Sequence, residues 1–118
     1  MSASFNGLRI AARYDLILAG PEDKFIIYDW KTSLTRSKHA WLANRLQTRI
    51  YPCLLVLAGA HLNRNRPINP NQVSMVYWFT AFPNQPERFV YSTAQFDEDR
   101  AYLMHMLTEI KSLPEPAF

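Results

Sequence analysis

Two apolar runs flanking a Gly-Pro-Glu-Asp turn constrain this chain more than any other feature. Residues 8–19 carry Leu8, Ile10, Leu16, Ile17 and Leu18, and residues 25–32 read Phe-Ile-Ile-Tyr-Asp-Trp-Lys-Thr. Both have the aliphatic and aromatic content of strands. Residues 20–23 between them are a strong turn signal, so the two runs are expected to form an antiparallel hairpin.

The pattern then changes period. Trp41, Leu42, Leu46, Ile50, Leu54, Leu57 and Ala58 fall at helical spacing, with Ser37 as a candidate cap near Lys38 and Gly59 as a stop. Pro52 removes a backbone donor inside this helix and predicts a kink. Residues 61–72, dominated by Asn, Pro and Arg, read as a loop. A strand over residues 73–82, a turn at 83–86 and a shorter strand over 88–92 follow. Thr93 is a plausible N-cap for a second helix reaching Lys111, with Asp97, Glu98 and Asp99 set to complement its dipole. Phe96, Tyr102, Leu103, Met106, Leu107 and Ile110 form its apolar side, and residues 113–118 read as a tail. The order β-β-α-β-β-α describes an α+β domain, with a small, mainly antiparallel sheet against helices.

The length of 118 residues suits one domain spanning 1–118, large enough to fold without disulfides or a structural metal. Cys53 is the only cysteine, which excludes a disulfide framework and a thiolate cage; its apolar neighbours mark it as a buried helix residue. A reducing, cytoplasmic setting follows. The N-terminus lacks the regions of a signal peptide, and the longest apolar run, residues 53–60, is too short to span a bilayer, so no membrane role is expected. The net charge of +3 leans towards a polyanionic partner without deciding one.

The chemistry concentrates at the end of the second strand. Asp29 and Lys31 stand two apart, so period-two alternation points both to one face and Trp30 to the other. A buried charge needs a partner, and a divalent cation with its water and a phosphate would satisfy both. Asp15 lies almost as far before the turn as Asp29 lies after it, which makes the two near cross-strand neighbours. Facing carboxylates repel unless something positive stands between them, and Mg²⁺ suits the role. Lys31 would then stabilise charge on the attacked phosphate or position the attacking water. The alternative is that all three are solvated strand-end residues. Gln47 and Tyr51, four apart, project from one face of the helix, either towards this acidic end or as a polar edge beside the apolar stripe.

Taken in order, Asp15, then Asp29-Trp30-Lys31-Thr32-Ser33, then Gln47-Thr48-Arg49-Ile50-Tyr51 resembles the RecB-like branch of the PD-(D/E)xK nuclease superfamily. There an Asp on one strand precedes a strand ending Asp-x-Lys-Thr, and a helix with Gln-x-x-x-Tyr follows. The resemblance implies a restriction-endonuclease-like core with a mixed or mainly antiparallel sheet. It also implies a metal-dependent DNA nuclease, an exonuclease of repair or recombination using Mg²⁺ or Mn²⁺, with a helicase or other repair subunit as a candidate partner. Asp15, Asp29 and the Trp30 carbonyl would be metal ligands, Lys31 the catalytic lysine, Gln47 an orienting residue and Tyr51 a contact to DNA or the active site.

Members of that family also carry an upstream helix whose His or Glu faces the metal. Here the first strand begins at Leu8, and His39, His61 and His105 all lie downstream. The expectation is a core without its N-terminal helix: a fragment, a chain completed by another, or a degenerate, inactive domain that binds DNA or a partner protein.

Arg36, Lys38, His39, Arg45 and Arg49 gather around the start of the motif helix. They read either as a phosphate-binding rim or as a solvated face. Arg64 and Arg66 offer the same choice in the loop. Tyr77, Trp78 and Phe79 are either a stacking platform for bases or aromatics split between core and sheet surface.

Overall fold

Which strands end up adjacent is decided by two breaks that the apolar pattern does not signal. The computed structural model describes residues 1–5, 8–20, 23–32 and 38–113. Pro21, Glu22, Ser33, Arg36, Ser37 and residues 114–118 lie outside the described residues. The strands are β1 (Ser2–Phe5), β2 (Leu8–Ala11), β3 (Leu16–Ala19), β4 (Phe25–Lys31), β5 (Val73–Phe79) and β6 (Phe82–Val90). The helices are α1 (His39–Ala43), α2 (Leu46–Ala58) and α3 (Thr93–Ser112).

The first break divides the run expected as one strand over residues 8–19. Its first half, β2, pairs with β1 in a separate two-stranded sheet, and its second half, β3, pairs with β4. Between them Tyr14 turns its hydroxyl to the Tyr51 carbonyl at 2.8 Å, and Asp15 accepts the Trp30 N–H at 2.9 Å. These side-chain bonds replace a continuous ladder. The expected hairpin stands as β3 against β4, with Leu16 opposite Tyr28 and Ala19 opposite Phe25. Gly20 N–H closes it onto the Lys24 carbonyl at 2.7 Å.

The second break divides the expected helix at Asn44–Arg45, not at Pro52. α2 runs through Pro52 without interruption, while the Thr48 hydroxyl donates back to the Leu42 carbonyl and stitches α2 to α1. Gly59 ends α2 as expected, and a Cβ there would lie 2.4 Å from the Leu55 carbonyl oxygen.

The four-stranded sheet is mixed, in the order β3-β4-β5-β6. β4 and β5 are parallel, which requires a crossover, and α1 and α2 provide it. The β5–β6 turn falls at Thr80–Ala81, earlier than the Pro-Asn-Gln-Pro stretch suggests. Pro83 and Pro86 instead sit within β6, the edge strand of this sheet, where a missing N–H is tolerated. Ser92, one residue before Thr93, caps α3 by accepting the Gln95 N–H at 3.1 Å.

Alternate residues of β4 are buried: Phe25, Ile27 and Asp29 face the helices, with Val73, Met75, Tyr77 and Phe79 beside them on β5. Leu42, Cys53 and Leu55 close this core from the helical side. It is an α+β fold of restriction-endonuclease-like character, with the functional strand β4 between two neighbours. No helix among the described residues is long and apolar enough to cross a membrane.

Candidate active site

Asp29 and Lys31 emerge on the buried face of β4, as their spacing requires, and Trp30 is exposed on the opposite face. Asp29 is only 7% exposed, so its charge demands compensation. Two neighbours supply it. Gln47, one residue into α2, donates from Nε2 to Asp29 Oδ1 at 3.0 Å. Lys31 Nζ stands 2.7 Å from Asp29 Oδ2 and donates to Gln47 Oε1 at 3.3 Å. The Lys31 ammonium is the partner that the structure shows for this buried oxygen among the described residues. The three side chains form a closed triangle.

Asp15 lies just beyond the last β3–β4 pair. Continuing the register by one step sets it opposite Asp29. One of its oxygens is held by the Trp30 N–H, and the residue is exposed. The Trp30 contact sets Asp15 at the end of the β3–β4 ladder nearest Asp29.

The floor of the triangle is Tyr77, which sequence reasoning treated only as one aromatic of three. It is the parallel partner of Asp29 on β5, fully buried, with its ring centroid 5.4 Å from Lys31 Nζ. Its hydroxyl is hydrogen-bonded to that of Thr48 on α2, and burial pushes its pKa above the ordinary tyrosine value. Phe79 is also fully buried and Trp78 half-buried, so the three aromatics divide between core and surface. The available signal was the period: position 77 shares the parity of Val73, Met75 and Phe79.

Tyr51 follows Gln47 by one helical turn and lines, with Lys31, Gln47, Arg45 and Ile10, a cleft of about 500 Å³. Its ring lies 4.9 Å from that of Tyr14, whose own pKa is raised by burial.

The basic residues divide. Arg45 lines the cleft and Lys38 is exposed just before α1, whereas Arg36 lies outside the described residues. Arg49 turns away: its Nε lies 2.9 Å from Asp99 Oδ1, and its guanidinium packs 3.9 Å over the Tyr102 ring. Asp99 is 2% exposed and also accepts from Gln95 and Tyr91. It serves as an internal counter-ion to Arg49 rather than a surface dipole complement, and Arg49 is spent on joining α2 to α3. His39 is exposed, stacks on Phe89 and lies 2.6 Å from Glu87, which is opposite Tyr77 on β6.

The donor set fits a hard divalent cation. Such an ion takes one or two protein carboxylates and completes its shell with water and phosphate oxygens. Asp29 offers a buried carboxylate, and Asp15, bonded to the Trp30 N–H, brings a second one to the same end of the β3–β4 ladder. Among the described residues no three His, Cys, Asp or Glu side chains gather in one cluster.

A family model of the PD-(D/E)XK nuclease superfamily matches residues 1–118, the whole chain. The chain belongs to that superfamily. Comparison with curated proteins and with solved structures gives no match. Membership makes this a nuclease domain, of the hydrolase class, in a superfamily whose nucleases typically use divalent metals. Asp29 and Lys31, spaced as an acid-x-lysine pair on β4, are held in direct contact in this PD-(D/E)XK domain.

Proposed function

We propose that the chain is an Mg²⁺- or Mn²⁺-dependent deoxyribonuclease of the RecB-like branch, acting from DNA ends in repair or recombination in the cytoplasm. The observation that carries this reading is the buried Asp29–Lys31–Gln47 triangle at the end of β4. Asp15, Asp29 and the Trp30 backbone carbonyl would hold a divalent cation, which would supply a more acidic water and charge neutralisation at the phosphate. Lys31 places its ammonium where negative charge grows on the attacked phosphate. Gln47 keeps Asp29 and Lys31 in register with each other, and Tyr51 contacts the DNA lying in the cleft. Lys38 and Arg45, with Arg36, supply phosphate contacts that orient the strand without reading sequence. A helicase or other repair subunit is the partner class that suits an end-directed nuclease.

The test is cleavage of end-labelled single- and double-stranded DNA with Mg²⁺, Mn²⁺ or EDTA. Metal-dependent shortening from one end, lost in Asp29→Ala and Lys31→Ala, is the expected result. Internal nicking would replace the end-directed reading. A second reading, a domain that binds DNA or a partner without cutting, is favoured by the absence of a third charged ligand near Asp15 and Asp29 among the described residues. DNA binding indifferent to metal and to Asp29→Ala, with no cleavage, would establish it.

A further inference from the structure

The two edges of the four-stranded sheet differ in what guards them. β6 carries Pro83, Pro86 and the charged Glu87 and Arg88, features that keep an edge from taking a further strand. β3, at the other edge, reads Leu-Ile-Leu-Ala and has none of them; its one guard is its length of four residues. Leu16 and Leu18 are 37% and 44% exposed there, on the sheet face away from Ile27 and the core.

The backbone of β3 is also half unspent. Gly20 N–H bonds the Lys24 carbonyl in the same register that sets Leu16 opposite Tyr28 and Leu18 opposite Ile26. Antiparallel alternation then turns the peptide groups of Leu16 and Leu18 to β4, and those of Ile17 and Ala19 to the outside. Among the described residues no strand pairs with that side. An open recess of about 540 Å³, with Met1, Arg13, Ile17, His61 and Leu62 in its lining, lies beside it.

We propose that the outer edge of β3 is an interface for a second copy of this chain, paired antiparallel about a two-fold axis at Leu18. The outward groups of Ile17 and Ala19 complement themselves: about that axis, Ile17 of each copy exchanges both hydrogen bonds with Ala19 of the other. Leu18 meets Leu18 of the second copy at the non-hydrogen-bonded position, where side chains approach most closely. Charge follows the same symmetry. Arg13 and Asp23 are equally far from Leu18 in sequence, both are exposed, and neither is in an ion pair among the described residues. The axis brings Arg13 of each copy towards Asp23 of the other. Assembly stops at the dimer, because the β6 edges left outside are guarded. A strand of another protein finds the same hydrogen bonds here; the two-fold match of Leu18, and of Arg13 with Asp23, favours a second copy.

The experiment is sedimentation velocity in EDTA from about 1 µM to about 1 mM, a span that captures a small, weak interface. The wild type is expected to pass from monomer to dimer across it. Ala19→Pro removes an outward N–H and no bond to β4, and should weaken the dimer about ten-fold, since the loss occurs on both sides of the axis. Leu18→Lys and Leu18→Glu each set like charges across the axis and should weaken it by about ten-fold or more. An equimolar mixture of these two variants should dimerise again. Both positions are exposed, so at the lowest concentration each variant should match the wild type in circular dichroism and melting temperature. Leu18→Cys should cross-link to its own copy on mild oxidation, with Cys53 buried and out of reach.

A wild type that stays monomeric throughout overturns the proposal. So does a dimer that survives Ala19→Pro and Leu18→Lys, which would lie on another surface. A Lys and Glu mixture that stays apart overturns the axis at Leu18, and larger oligomers overturn its closure. None of these measurements involves DNA, so their failure leaves the nuclease reading intact, and a chain without cleavage keeps the dimer.

Discussion

Tyr77 lies directly across the β4–β5 ladder from Asp29, and its ring supports the ammonium of the lysine two residues further on. The pair separates what the ring does from what its hydroxyl does. Tyr77→Phe keeps the ring and loses the bond to Thr48, at a stability cost of about 1 kcal/mol. Tyr77→Leu leaves part of the core empty and removes the cation–π contact, costing about 3 kcal/mol. In steady-state kinetics Tyr77→Phe should keep kcat within about two-fold, and Tyr77→Leu should lose about ten-fold in kcat with little change in KM, consistent with a contact of 1–2 kcal/mol. Equal kcat in both variants would show that the ring does not position Lys31.

Gln47 is the hinge of the triangle, bonded to both charged partners. Gln47→Ala should lower metal affinity or activity by about 10–100-fold, as loss of a group orienting a ligand does. Gln47→Glu places a second carboxylate against Asp29 Oδ1 and should reduce melting temperature in EDTA more than in Mg²⁺. A thermal-shift series in both buffers reads this difference, and its absence would mean that no cation sits between the acids.

Metal should stabilise the fold through Asp15 and Asp29. At a free Mg²⁺ concentration a hundred times its Kd, the gain is about 2.7 kcal/mol. Differential scanning calorimetry should record a higher Tm with Mg²⁺ than with EDTA, and no such difference in Asp29→Ala. A metal shift that survives Asp29→Ala would place the ion elsewhere.

The Arg49–Asp99 contact predicts a stability phenotype at a position that looks like a DNA contact. Asp99→Ala strands a partly buried guanidinium and should cost about 2–3 kcal/mol, less than a fully buried pair because Arg49 retains some solvent. Arg49→Lys should likewise destabilise, since an ammonium cannot reproduce both the Asp99 bond and the stack on Tyr102. The salt slope of DNA binding should remain as in the wild type for Arg49→Lys and flatten for Arg45→Ala.

Burial raises the Cys53 thiol to about 11 from a model-compound value of 9.0, and raises Tyr14, Tyr77 and Tyr91 as well. Raised acid groups stay protonated in the folded state, while the unfolded chain releases protons first. Their contribution is therefore complete below about pH 9 and falls as pH rises towards 11, with the tyrosines extending the loss further. Urea melts from pH 7 upward should show constant stability followed by this alkaline decline. Cys53→Ala should begin lower and decline less steeply between pH 9 and 11. An identical slope in wild type and Cys53→Ala would remove Cys53 from the account.

The legible part of the sequence was whatever strand parity and helical spacing control. Asp29 with Lys31, Gln47 with Tyr51, and the cross-strand position of Asp15 all follow from turn position and period. The breaks at residues 12–15 and 44–45 were not legible, because they arise from single side-chain bonds: those of Tyr14 and Asp15 to backbone distant in sequence, and that of Thr48 back to Leu42 six residues before it. Asp99 was hidden for a related reason: an acid in a helix's first turns reads as a dipole complement until its distant arginine is known. The Thr80–Ala81 turn was masked by a Pro-Asn-Gln-Pro stretch that carries every local sign of a turn, yet an edge strand can absorb it.

The position of β4 between β3 and β5 has a further consequence, for the way the molecule opens. Amide protons on a strand paired along both edges exchange only when the whole domain unfolds, whereas a five-residue helix such as α1 opens by local fraying. Asp29 and Lys31 thus sit at the durable end of the domain's local-stability gradient, and Trp41 at the labile end. Deuterium should enter α1 within the native ensemble long before it reaches β4, leaving the rim free to remodel around an arriving strand while the charged centre beneath it stays fixed.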